Sequence, residues 1–341
     1  MRTSLADLLC ARAVLLADGA TGTNYFLMGL GSGDPPELWN VDHPERVTAL
    51  HQGFVDAGAD IILTNTFGCN RSRLALHRAE HRVRELAERA AALARAVADA
   101  SPRPVVVAGS VGPTGELFEP LGALTPTAAD EIFEEQCVGL REGGADVAWI
   151  ETMSAPEEVR SAARGAVAAG LPYTVTCSFD TAGRTMMGML PWDLAAVFDG
   201  LAVAPVAFGA NCGVGASDIL VSMLAMTGDV GDAAGNNRGA PLICKGNCGI
   251  PRFEGTDAVY SGTPELMASY TTIAANAGAR IIGGCCGTSP VHLAAMRAAL
   301  DAWTPGPRPS VPEVVATIGP LANTAPMAHS ADGQARRRRR G

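Results

Sequence analysis

Lysine is all but missing from this 341-residue chain: of 26 basic residues only Lys245 is a lysine, and the rest are arginines. Aromatic residues are scarce at 5%, and charged residues make up only 18%. With a formal net charge of −9, the body of the protein lacks the basic surface that a nucleic-acid partner requires. No apolar run approaches the ~18 residues of a membrane helix. The stretch from Leu5 to Leu16 is interrupted by Asp7 and Arg12, unlike the apolar core of a signal peptide. No membrane association is therefore expected. Nine cysteines, odd in number and widely spread, do not describe a disulfide framework. The expected setting is a reducing cytoplasm, where clustered cysteines signal metal or catalysis.

What the chain does have is rhythm, together with 48% hydrophobic residues to build a core. Short apolar runs begin at Val14, Asp60, Val105, Asp146, Tyr173, Val206, Pro241 and Arg280. Helical patterns fall between them, clearest over His81–Ala98, Thr127–Gly143, Pro156–Ala169, Pro264–Ala277 and Pro290–Leu300. Alternating buried strands and amphipathic helices imply a parallel sheet with helical crossovers. Eight such units fit an α/β fold of the closed (β/α)8 TIM-barrel kind. Residues 1–304 are assigned to this single domain. Two long loops are expected, Tyr25–His43 and Gly228–Ala240. The segment 305–341, rich in Pro and Ala and ending in Arg336–Arg340, is expected to stay unfolded for want of apolar surface.

In a parallel barrel the residues just after each strand gather at one face and build the site. Here those positions are polar or glycine-rich: Asp18-Gly19-Ala20-Thr21, Thr64-Asn65-Thr66-Phe67, Gly109-Ser110, Glu151-Thr152, Asn211-Cys212, Lys245-Gly246-Asn247-Cys248 and Gly283-Gly284-Cys285-Cys286-Gly287. Cys285 and Cys286 stand between glycines that permit a sharp turn, and Cys212 ends the sixth strand. Three thiolates with one open position describe a catalytic zinc site rather than a closed structural one. Cys248 also lies in a strand-end loop within reach of such a metal, whereas Cys244 falls inside a strand. No histidine sits at a strand end.

The segments DGATGT, GADIILTNTFGCNR, GSVGPTGE, IET, GANCGVG and GGCCGT resemble the homocysteine S-methyltransferase family, in that family's order, from about Asp18 to Leu300. The resemblance implies a zinc barrel with Cys212, Cys285 and Cys286 as ligands, homocysteine as methyl acceptor and a small methyl donor as second substrate. It also implies that Asp18 and Glu151 bind the homocysteine ammonium and that amides around Gly19, Ala20 and Thr21 meet its carboxylate. Asn211, in the same motif as Cys212, is counted with the substrate residues.

Betaine is the donor expected first, with S-methylmethionine or another methylated onium compound as the alternative. Betaine-dependent members carry tyrosines where this chain has Gly68 and Thr152, so their donor pocket is not reproduced. Trp39 in the first loop, with Phe26 and Tyr25, and Phe67 after the second strand could instead cage a methylated cation, or the loop aromatics could simply pack. Methionine synthase modules share a polypeptide with cobalamin and folate domains, for which this length leaves no room. Two rival readings differ in kind. One is an aldolase forming a Schiff base on Lys245; the other is a zinc-binding thiol sensor. The oligomeric state, self-association included, is left open.

Overall fold

The computed structural model describes residues 2–228, 237–249, 251–254 and 257–323. Each expected apolar run becomes a strand of one eight-stranded parallel sheet: β1 (Leu15–Leu16), β2 (Ile61–Leu63), β3 (Val106–Val111), β4 (Val147–Met153), β5 (Tyr173–Cys177), β6 (Ala207–Cys212) and β7 (Leu242–Gly246). A small antiparallel hairpin, β8 (Pro251–Glu254) with β9 (Asp257–Tyr260), precedes the last barrel strand, β10 (Ala279–Gly284). The strand order β1-β10-β7-β6-β5-β4-β3-β2 leaves β1 and β2 at the two ends. A bridge between Ala17 and Ile61 joins them, and the Asp18 amide donates to Ile61 O at 3.0 Å. The fold is the expected (β/α)8 barrel.

The crossover helices begin where proline and a capping residue coincide. Thr125 accepts from the Ala128 amide at the start of the helix Pro126–Glu142, and Thr263 does the same for Pro264–Asn276. Strand alternation then sorts the apolar residues into two layers. Leu15, Ala17, Ile61, Leu63, Val106, Ala108, Val147, Trp149, Ala207, Ile243 and Ile281 fill the barrel interior. Leu5, Leu8 and Leu9 of the first helix, Leu5–Ala11, belong to the same cluster and close the barrel at its lower end. The other layer lies between strands and helices. Among the described residues no helix is long and apolar enough to cross a membrane.

Two expectations change. The segment Tyr25–His43 is not one loop. It carries the end of the helix Gly22–Leu27, a short 3-10 turn at Pro36–Leu38 and the helical turn Trp39–Asp42. The chain beyond Pro305 also does not stay unfolded throughout: Val311–Ile318 is a helix, capped reciprocally by Ser310 and Glu313. Its residues Val311, Val314, Val315 and Ile318 follow the helical repeat, and Val314 is fully buried. Behind it, Ser217 donates to Gly319 O at 2.8 Å, and both oxygens of Asp218 accept amides, from Ala322 and Asn323 at 2.9 Å. The folded unit therefore extends past residue 304. Residues 229–236 of the second expected loop and the arginine run Arg336–Arg340 lie outside the described residues.

Burying a valine side chain is worth about 2 kcal/mol, and a buried carboxylate without a partner costs more. Val314→Asp should therefore undock the last helix and lower the melting temperature. Val311→Asp, at a position that is 39% exposed, should have a much smaller effect; calorimetry of the two variants compares them.

Candidate active site and metal centre

The alternation that fills the barrel floor also builds its mouth. Continuing inward from Val106 and Ala108 the next residue is Ser110; from Val147 and Trp149 it is Glu151; from Ala207 and Gly209 it is Asn211; from Ile243 it is Lys245. The apolar interior thus ends in a polar layer, with Trp149 under the Lys245 ammonium at 5.8 Å from its ring centroid. Above this layer opens a cavity of about 320 Å³, lined by Gly19–Thr23, Phe26, Pro36, Glu37, Leu63–Phe67, Ser110, Glu151, Thr152, Cys212, Lys245 and Gly284–Cys286.

Glu151 and Thr152 both face this cavity, as do the neighbours Cys285 and Cys286. Consecutive residues of a regular strand point to opposite sides, so the backbone must break its alternation. It does so with left-handed residues: Thr152 has φ 62° and Cys212 has φ 59°, conformations that non-glycine residues adopt at a cost. Asn211 steadies the first, since its Oδ1 accepts from the Thr152 amide at 2.8 Å and its Nδ2 donates to Thr152 Oγ1 at 2.7 Å. Asn211 Nδ2 also lies 3.9 Å from Cys285 Sγ. After β10 the turn continues through Gly287, whose φ is 80°. The Cys285 amide donates to Gly246 O at 2.7 Å, and the Cys286 amide to Asn247 Oδ1 at 3.1 Å.

These turns bring the three expected cysteines together. All three Sγ atoms lie within 4.8 Å of one another, and Cys212 and Cys286 are 3.9 Å apart. Thiolates bound tetrahedrally at ~2.3 Å from zinc stand ~3.8 Å apart, so the spacing fits such an ion. Among the described residues this is the one group of three or more His, Cys, Asp or Glu placed to hold a metal. The thiols are strongly coupled: hydrogen bonds from Cys212 and Cys285 favour the Cys286 thiolate, and the bonds Cys212 makes to Cys285 and Cys286 push Cys212 up. Cys248 is buried and offers its amide to Cys286 O at 2.9 Å, but its sulfur is not part of the group. Cys244 is buried in β7, as expected.

The carboxylates do not stand where a common role would put them. Glu151 lines the cavity and accepts from Ser110 Oγ at 2.5 Å. Burial pushes its carboxyl up to about 7, and the nearby Lys245 opposes that shift. Asp18 lies one layer deeper. One of its oxygens pairs with Lys245 Nζ at 2.8 Å and the other accepts the Leu63 amide at 2.7 Å, and it is not among the lining residues. The reason is Lys245: a buried ammonium needs a counter-ion, and Asp18 supplies it. Burial works against the lysine's charge, yet Asp18 and Glu151 more than offset it and hold its pKa above the ordinary value. An ammonium has no lone pair for a Schiff base, so the ion pair with Asp18 weighs against the aldolase reading.

Trp39 is also not where a donor cage needs it. It is 7% exposed, packs on Tyr25 with ring centroids 5.2 Å apart, and has the Arg46 guanidinium 4.8 Å from its own centroid. Its π face is already taken by a cation of the chain. Phe26 and Phe67 do line the cavity and stay open to solvent. Of the three first-strand amides, that of Ala20 is bonded to Thr288 O at 3.0 Å. Glu37 was missed from sequence. It is 4% exposed, lines the cavity and accepts the Gly68 amide at 2.7 Å. Its short helical turn had been read as part of a loop, and nothing in the sequence around it marks it as buried.

A barrel with a three-thiol cluster and a buried carboxylate at the C-terminal mouth of its strands defines a class: a (β/α)8 enzyme able to hold a thiolate-bound metal. The particular family follows from comparison. Residues 15–300 match the model of the homocysteine S-methyltransferase family, and the chain belongs to that family. The methionine synthase of Mycobacterium tuberculosis is 30% identical over 314 residues, which is 87% of this chain and 25% of that protein. That of Mycobacterium leprae is 29% identical over 323 residues, 90% of this chain and 26% of that protein. The chain thus spans about a quarter of the length of these relatives. The oxidized form of the homocysteine methyltransferase MmuM from Escherichia coli is 25% identical with a TM-score of 0.69, covering 85% of this chain and 97% of that one. Its metallated form, 24% identical with a TM-score of 0.69, covers 86% and 98% and shares the fold.

The Glu151 carboxyl can be tested through stability. Its folded pKa of about 7 lies above the ordinary 4.5, so the stability carried by its proton is complete below 4.5 and is lost as pH rises through 7. Glu151→Gln should therefore melt higher than wild type at pH 8 and close to it at pH 5; the opposite trend would contradict the burial of this group.

Proposed function

We propose that the protein transfers a methyl group from a small cationic donor to the sulfur of homocysteine at a zinc ion held by Cys212, Cys285 and Cys286, giving methionine. The observation that carries this reading is the spacing of the three sulfurs at the cavity mouth. Zinc bound there would supply a fourth position at which a substrate thiol, protonated at neutral pH with a pKa near ~8.5, becomes a thiolate. Everything else falls to the chain's own residues. Glu151, steadied by Ser110, receives the homocysteine ammonium. Asp18 acts behind it by fixing Lys245, the only basic residue of the lining among the described residues. Gly19 and Thr21 line the wall assigned to the substrate carboxylate.

Methyl transfer to a thiolate moves no proton in the bond-changing step: the new S–C bond forms as the donor's onium–carbon bond breaks, and the former onium centre keeps the electron pair and leaves uncharged. An onium donor suits the cavity because Glu37, Glu151 and the cysteines give its wall negative character. Betaine is the donor proposed first and S-methylmethionine the second. The match to only a quarter of each methionine synthase favours one further reading, in which a separate domain or protein brings the methyl group to this barrel. Thiolate ligands require a reducing compartment, which supports the cytoplasmic setting.

Protein purified under reducing conditions should contain about one zinc per chain, and Cys212→Ser, Cys285→Ser or Cys286→Ser should remove it. Cys137→Ser, in a helix core, should keep full occupancy by metal analysis. Wild type supplied with homocysteine should form methionine from betaine in a donor panel that includes S-methylmethionine. Turnover with the latter alone would replace the donor and keep the acceptor. Homocysteine binding without turnover from any small donor would favour the carrier reading.

A further inference from the structure

Glu37 combines three properties that rarely occur together: burial, an anionic side chain and access to the active cavity. It enters on the turn Pro36–Leu38, which is tied down from β2's loop. Asn65 Nδ2 donates to Pro36 O at 2.7 Å and to Asn40 Oδ1 at 3.1 Å, and Asn40 Nδ2 donates to Asn65 O at 2.9 Å. The carboxylate is thus held by a rigid frame and not by a free loop. Gly68 shows how closely it is seated. A Cβ added there would stand 2.9 Å from Glu37 Oε1, so the space above Gly68 is reserved for the carboxylate.

No close ion pair holds its charge, and Arg73 and His77 act on it only from beyond that distance. Among the described residues no Arg, Lys or His comes within ion-pair distance of Glu37, and the Gly68 amide is a neutral donor. Burial draws its carboxyl above the ordinary range. A buried carboxylate without a close counter-charge is costly, and a cationic ligand in the cavity would supply one. The cavity wall around it carries Phe26 and Phe67, and an aromatic ring beside an anion is the lining that a methylated cation prefers.

We propose that Glu37 determines donor specificity: its carboxylate, with the rings of Phe26 and Phe67, takes the positively charged head of the methyl donor. The inference rests on the cationic-donor reading above and names the residues that would enforce it. Glu37 touches the donor and not homocysteine, whose ammonium belongs to Glu151. A neutral methyl donor gains nothing at this subsite.

The test uses zinc-loaded wild type, Glu37→Gln and Glu37→Asp. Gln keeps an oxygen for the Gly68 amide and loses the charge; Asp keeps the charge and gives up reach. Glu37→Gln should raise the apparent KM for betaine or S-methylmethionine about thirtyfold, as loss of a buried charge partner does. Homocysteine KM and zinc content should stay at wild-type values, and the melting temperature should not fall. Glu37→Asp should recover part of the donor affinity. Calorimetric binding of tetramethylammonium, which needs no turnover, should be seen with wild type and lost in Glu37→Gln. If wild type methylates homocysteine from no small donor but still binds tetramethylammonium through Glu37, the donor reading fails and this cation subsite stands. Donor KM and tetramethylammonium binding unchanged in Glu37→Gln would overturn the inference. So would a ranking with Asp worse than Gln, which would make Glu37 a strut for the Gly68 turn.

Discussion

The Lys245–Asp18 ion pair is the contact on which the arrangement of the mouth depends. It is almost fully buried, at 2.8 Å, and links β7 to the end of β1 across β10. Three thiols and the Glu151 carboxyl converge on the same few ångströms, and each can only become negative when it loses a proton. Lys245 is the one cation placed among them, and without it the polar layer would be a cluster of like charges in low dielectric. Removing either partner would leave the other buried and unpaired, which costs about 3–5 kcal/mol. The single lysine of the chain is therefore at the position where a point charge on a long stem can reach from a strand into the barrel.

That position follows from strand alternation, and so does most of what was legible beforehand. The eight apolar runs, the helices with proline in their first turn, and the polar residues after each strand all depend on local periodicity, which one sequence displays. Cys212, Cys285 and Cys286 were legible for a related reason. Strand ends of a parallel barrel share one face, so chain positions more than seventy residues apart could be brought together from topology alone.

What escaped depends on relations that periodicity does not encode. Trp39 was assigned to a donor cage, with loop packing as the alternative, and the sequence does not decide between them. Its segment folds back on the helix Pro44–Asp56, and Arg46 covers the indole. Asp18 was given to the substrate because nothing in its own neighbourhood shows that Lys245 would claim it from 227 residues away. Glu37 was passed over because its burial is imposed by Gly68 and Asn65, which belong to another strand's loop. The helix Val311–Ile318 was a different kind of miss. Its apolar repeat is plain in the sequence, but the composition of the surrounding tail masked a local pattern of eight residues.

The closing of the lower end by Leu5, Leu8 and Leu9 has a consequence for traffic through the protein. A vessel with one opening takes everything in and lets it out by the same way. Glu151 and Lys245 form the floor and are scarcely exposed, whereas Phe26 and Phe67 stand at the rim with 54% and 40% of their surface open. A molecule held at the rim therefore stands in the path to the floor. The depth of the cavity thus makes its rim a passage that anything bound at its floor has to share.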